Sequence, residues 1–256
     1  MEFSQVLAAF KAGKQEIPEG WSQGRACFGG LVGALMYSAL EELVPDRPPR
    51  SVYVSFIGPV AEGPVALKTE VLRAGGSVTQ AECRLEQEGQ TLAIMLVSFG
   101  LARDSKILVE GLQPVPMKPR DKAFPLPYVE GVSPVFLRYF DMRWATEHLP
   151  FSRSKEGSFG GWVRFKEEVD ITRSALLALI DAWPPAVLPM YKHPAPSSSL
   201  TWTVEFTEEE ISKAPWWQFH VDTEQGKDGY CVTQGQLWSE EGKLVALSRQ
   251  TVTVFT

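Results

Sequence analysis

The sequence predicts an α+β fold built twice, each copy pairing one long apolar helix with an antiparallel meander. Three observations predict it. One hairpin design recurs: Val71–Phe99 and Glu224–Val252 both run strand, Gly turn, long strand, E-G turn, long strand. Gly76 and Gly229 are 153 residues apart, as are Gly89 and Gly242, and Ala93 and Ala246. A period that long marks two homologous half-domains and not stacked solenoid units. Each copy also follows one apolar segment of helical length. Finally, 44% of the 256 residues are apolar, with eight Trp and fourteen Phe, enough for a sizeable core.

The elements follow in chain order. Phe3, Val6, Leu7 and Phe10 have helical spacing, so a short N-terminal helix packs on the body. Trp21–Cys27 reads as a strand. Phe28-Gly29-Gly30 then opens the apolar helix Leu31–Leu43, whose small residues Gly33, Ala34 and Ala39 let it sit close to a sheet. Ser51–Ile57, Val65–Leu72, Val78–Glu86 and Thr91–Leu101 are four strands separated by Gly and Pro turns. Ala102–Pro134 carries six prolines (114, 116, 119, 125, 127 and 134) and reads as a connector largely without regular structure. Strands Phe140–Thr146 and Gly160–Lys166 come next. The apolar helix Thr172–Trp183 is stopped by Pro184-Pro185. Ser199–Phe206, Trp216–Thr223, Tyr230–Ser239 and Leu244–Phe255 repeat the four strands. The expected organisation is an N-terminal half over 1–101, a connector over 102–134 and a C-terminal half over 135–256.

Bulk properties exclude several classes. With a net charge of −6 and no basic patch, a nucleic-acid partner is not expected. No apolar run approaches a membrane span, and MEFSQVLAAF is too short and polar for a signal peptide. Cys27, Cys83 and Cys231 are widely spaced and fit reduced thiols better than disulfides or a zinc site. The chain has no Asn. The terminal Val-Phe-Thr is no peroxisomal address, so the cytoplasm is the expected location.

Few residues stand out as chemistry. Asp181 lies near the C-terminal end of the helix whose previous turns run Ala175–Ile180. Opposition to the helix macrodipole and an apolar setting both raise a carboxylate pKa, as suits a general base. The alternative is a solvated carboxylate on the helix's outer side. Gln250 lies within the last strand, sharing a face with Leu244, Ala246, Ser248, Val252 and Val254. A Gln there needs partners, whether catalytic or merely an adjacent strand or loop. Val97 occupies its place in the first copy, so the fold itself does not demand an amide. Ser197, Ser198 and Ser199 follow Pro196 and open a strand, as a water-holding hydroxyl or as turn residues. Gly29 and Gly30 either present free N–H groups at a helix start or permit close packing.

Other candidates carry less. His148, His193 and His220 show no metal spacing, and Ser152–Lys155 matches S-x-x-K without its companion motifs. There is no G-x-S-x-G elbow and no P-loop. Trp216-Trp217 reads as core or interface.

One long apolar helix beside a twisted antiparallel sheet is the hotdog arrangement, and two in one chain make a tandem hotdog, two sheets each wrapping one helix. The chain resembles the TesB-type double-hotdog acyl-CoA thioesterases over nearly its whole length. The resemblance is carried by R-x2-FGG at Arg25–Gly30, IDAW at Ile180–Trp183, PSSSLTW at Pro196–Trp202, DGY at Asp228–Tyr230 and LVALSRQ at Leu244–Gln250. It implies hydrolysis of an acyl-CoA thioester by a water held between an Asp, a Thr or Ser, and a Gln. Position by position these are Asp181, Ser199 (with Ser198 one register away) and Gln250. It further implies the thioester carbonyl at Gly30 or Gly29, and an acyl tunnel lined by Phe28, Met36 and Trp183. Coenzyme A belongs to the substrate, no separate cofactor or metal is implied, and a homo-oligomer is compatible with the family. Two other readings are a non-catalytic acyl-thioester binder and a hotdog hydratase or dehydratase, whose D-x4-N-x2-H site a chain without Asn cannot supply.

Overall fold

Small residues decide where the central helix sits. In the computed structural model, which describes residues 1–109 and 111–255, α1 spans Phe3–Lys11, α2 Gly29–Leu43 and α3 Arg173–Asp181. Glu110 of the connector and Thr256 of the C-terminal tripeptide lie outside the described residues. A Cβ on Gly33 would stand 3.0 Å from the Trp202 indole, so the bare backbone lets that ring slide beneath α2. Both long helices are buried on nearly every side, as an apolar helix in a core must be. α3 starts on Thr172, whose hydroxyl accepts the Ala175 N–H.

Eleven strands lie against these helices: β1 (Pro49–Phe56), β2 (Ala66–Ala74), β3 (Val78–Gln87), β4 (Gln90–Gly100), β5 (Phe124–Leu126), β6 (Phe140–Trp144), β7 (Ser158–Phe165), β8 (Ser197–Phe206), β9 (Trp217–Lys227), β10 (Tyr230–Ser239) and β11 (Leu244–Val254). They form one sheet, in the order β2-β3-β4-β1-β8-β11-β10-β9-β7-β6-β5. This corrects the expectation of two separate sheets. The first strand of each meander pairs with the other, Val52 opposite Val204 and Val54 opposite Trp202. Each half-sheet thereby satisfies an edge that would otherwise expose unpaired backbone.

The duplication reaches into the irregularities. The β2–β3 and β9–β10 ladders each carry a register shift, at Val71/Arg73 and Thr223/Gln225. The β3–β4 and β10–β11 ladders do too, at Leu85/Glu86 and Leu237/Trp238. Gly89 and Gly242 both adopt positive φ in their turns.

One local expectation changes. Trp21–Cys27 is not one strand but a tight hairpin, Ser22–Gln23 against Ala26–Cys27, turned at Gly24 with φ +69°. The connector is largely without regular structure, its regular pieces being a 3-10 turn, Arg120–Lys122, and β5, which pairs along β6. Proline is tolerated in β5 because an edge strand need not donate on both sides.

Candidate active site

The site arises where α3 ends and α2 begins. The Gln250 Nε2 donates to Asp181 Oδ1 at 2.7 Å. The other carboxylate oxygen, Oδ2, lies 2.9 Å from where a Cβ on Gly29 would stand. Gly29 therefore leaves the space the carboxylate fills, and the Gly30 N–H also faces it. Asp181 thus sits at the negative end of its own helix and the positive end of its neighbour. Burial pushes its pKa up to about 7, against the lowering effects of the Gln250 amide and the Gly30 N–H. The residue as a whole keeps some contact with solvent, while its carboxyl group is buried.

Gln250 belongs to a helix-facing row of three directly paired residues, Trp202, Gln250 and Thr233. The matching row of the first half is Val52, Val97 and Ala81, all buried and apolar. The asymmetry seen at Gln250 and Val97 therefore extends across three strands. Beside the row lies a void of about 20 Å³, room for roughly one water. Gln250, Thr233, Ser248, Ile180 and Trp183 line it. Ser248 Oγ accepts from the Trp202 indole N–H at 2.9 Å.

Ser199 pairs with Val252, and the irregularity between Ser199 and Thr201 puts it on the same face as Trp202 and Gln250. Ser198 pairs with Thr253 on the opposite face. Of the three residues assigned to water, the hydrogen bond drawn within the set is that between Asp181 and Gln250; Ser199 makes none to either. Trp183 reaches the void and stacks on Phe219 at 5.9 Å. Phe28 and Met36 do not line it. Phe28 is fully buried, stacked on Phe136 at 4.0 Å, and occupies the room a side chain on Gly30 would need. Met36 is fully buried in the core.

Thr233 escaped the sequence reading, and Ser248 entered it only as a neighbour on the Gln250 face. The second hairpin turn is one residue longer, so a fixed offset of 153 sets Ala81 against Gln234 and hides Thr233. Thr233 is buried, with its Cα paired directly to that of Gln250.

Two family models match. The acyl-CoA thioesterase N-terminal domain matches residues 17–100, and the acyl-CoA thioesterase C-terminal domain matches residues 109–254. Among solved structures, a hot-dog-fold protein of unknown function from Alicyclobacillus acidocaldarius is 22% identical, covers 94% of this chain and 92% of its own, and superposes with a TM-score of 0.83. The acyl-CoA thioesterase II TesB2 of Mycobacterium marinum is 19% identical over 89% of this chain and 88% of its own, with a TM-score of 0.70. A bifunctional dehydratase-cyclase domain of ambruticin biosynthesis is 14% identical over 97% and 88%, with a TM-score of 0.55. At these identities the likeness is one of fold. No curated protein matches the sequence.

Proposed function

The chain belongs to the acyl-CoA thioesterase family of hotdog proteins, and from that premise we propose that it hydrolyses an acyl-CoA thioester to the free acid and coenzyme A, as TesB-type enzymes do. The observation that carries the reading is the Gln250–Asp181 hydrogen bond at the N-terminus of α2. A carboxylate whose pKa is about 7 is ionised in a large fraction of molecules at neutral pH and still basic enough to take a proton.

In this mechanism Asp181 and Gln250 hold one water, with Ser199 or Thr233 supplying a hydroxyl from the same face of the sheet. The water oxygen attacks the thioester carbonyl carbon while Asp181 removes its proton. That transfer neutralises the carboxylate as negative charge grows on the carbonyl oxygen. The Gly30 N–H is then free to turn from Asp181 to the oxyanion, with the Gly29 N–H beside it at the helix start. Collapse breaks the carbon–sulfur bond, and the Asp181 proton passes to the departing thiolate. Trp183 shields the reacting atoms from the apolar side.

The dehydratase alternative draws nothing from the site, where no His stands beside Asp181 at the start of α2. The decisive experiment measures free-thiol release from short-, medium- and long-chain acyl-CoAs by the parent, Asp181→Asn and Gln250→Ala. Turnover by the parent, lowered at least about 100-fold in Asp181→Asn, is the expected result. Binding without turnover at any chain length would make the protein an acyl-thioester binder instead. Variants as fast as the parent would move the site elsewhere.

A further inference from the structure

On the face of the sheet opposite the helices, three side chains from two neighbouring strands stand in an order the thioesterase chemistry does not use. Ser158 Oγ lies 3.3 Å from His220 Nε2, and His220 Nδ1 lies 3.4 Å from Asp222 Oδ2. The backbone enforces the grouping: Ser158 pairs with Asp222 and Gly160 with His220, and paired residues share a face. Phe219 and Val221, which alternate with them along β9, point instead to the void beside Gln250.

We propose that Ser158 is an activated nucleophile, with His220 as its base and Asp222 orienting the imidazole, and that it accepts acyl groups from carboxylic esters or thioesters at a second, independent site. Ser158 and Asp222 border a cavity of about 730 Å³ whose apolar wall is Val187, Met190 and Tyr191; His220 is buried and does not line it. Among the described residues His220 Nδ1, though 3.4 Å from Asp222 Oδ2, forms no hydrogen bond in this arrangement, so Asp222 acts on the ring through its charge; Thr223 Oγ1, on the cavity wall, is likewise buried and unpaired.

The chemistry follows from the geometry. Asp222 favours the tautomer with its proton on Nδ1, which leaves Nε2 as an acceptor for the Ser158 hydroxyl. Burial lowers the pKa of His220 and Asp222 raises it, the burial being the larger effect, so the ring is neutral and able to accept at neutral pH. The Ser158 oxygen attacks the ester carbonyl carbon, and its proton moves to Nε2. The bond from carbon to the leaving alcohol or thiol breaks, and that group departs with the proton from Nε2. The product is an acyl ester on Ser158, and no oxidant or metal enters the balance.

The test treats the full chain with a fluorophosphonate and, separately, with p-nitrophenyl acetate, and follows adducts by intact mass and peptide mapping. One adduct on Ser158 is expected, absent in Ser158→Ala and formed about 100-fold more slowly in His220→Gln. Asp222→Asn, a change at a half-exposed side chain, is expected to slow labelling and covers the case in which His220→Gln does not fold. Labelling at the parental rate in Asp181→Asn separates this site from the thioesterase site. No adduct on the folded parent, an adduct that survives Ser158→Ala, or a His220→Gln rate reduced by less than about tenfold would overturn the proposal.

Discussion

Gln250 and Val97 occupy the same place in two copies of one hairpin, and the difference between them has an electrostatic partner in Asp181. The Asp181 pKa is raised from 3.8 to about 7, so the folded protein holds a proton the unfolded chain releases. The contribution of this group to stability is therefore greatest below pH 4 and declines as pH rises to 7. Asp181→Asn removes that decline. Its melting temperature is expected to exceed the parent's at pH 8 and to match it at pH 4. The gain at pH 8 is on the order of 4 kcal/mol, the free-energy equivalent of that rise. The same titration predicts that parental kcat rises with pH through about 7 as Asp181 ionises. Gln250→Val imports the residue of the first half. Losing the amide's hydrogen bond shifts the Asp181 pKa further up, so the acid limb of kcat should move to higher pH while the protein stays folded. An unmoved limb would disconnect Gln250 from Asp181.

At the scale of elements, glycine at a helix start decides whether the carboxylate can approach. A methyl on Gly29 would meet Asp181 Oδ2 at 2.9 Å and the Phe56 ring at 3.4 Å, so the carboxylate must swing away from Gln250. Backbone stability should hold, or rise by up to about 1 kcal/mol as a helical Gly becomes Ala. Gly29→Ala is therefore expected to show an unchanged or higher melting temperature with a reduced kcat. A parallel loss of both would point to simple misfolding. Thr233→Val tests the hydroxyl next to Gln250 with little change of volume, and Ser199→Ala tests its rival on β8. Whichever variant loses more kcat identifies the third group at the water. The hairpins were legible because period-two alternation and E-G turns are local signals. β5 was not: it is three residues with a central proline, and only the exposed edge of β6 makes it a strand. Asp181 and Gln250 could be singled out from sequence because each breaks an apolar pattern. Thr233 could not, because a turn longer by one residue moved it off the repeat.

Across the whole molecule, the merged sheet and the paired helices make the two halves depend on each other. Asp181 of the second half needs Gly29 of the first, so the candidate site straddles the duplication. The N-terminal elements also dock on the second half: Trp21 stacks on Tyr139 at 4.1 Å and Phe28 on Phe136 at 4.0 Å, and Phe3 packs at a tilt against Phe165 at 4.6 Å. The sequence comparison of the copies implied two frames, and it carried no signal for these contacts because stacking across halves has no periodicity. Parting the halves would uncover the α2–α3 contact and the facing edges of β1 and β8, whose residues Val52, Val54, Trp202 and Val204 are all buried. Exposure of that much apolar surface at ~25 cal/mol per Å² outweighs the few kcal/mol that hold an ordinary domain together. The intact chain is accordingly expected to unfold in one calorimetric transition. Residues 1–101 and 102–256, produced separately, are expected to be insoluble or unfolded, and produced together to reassociate with thiol-releasing activity restored. A fragment 102–256 that folds and hydrolyses acyl-CoA alone would show that Gly29 and its helix are dispensable, and would return the site to the second half entirely.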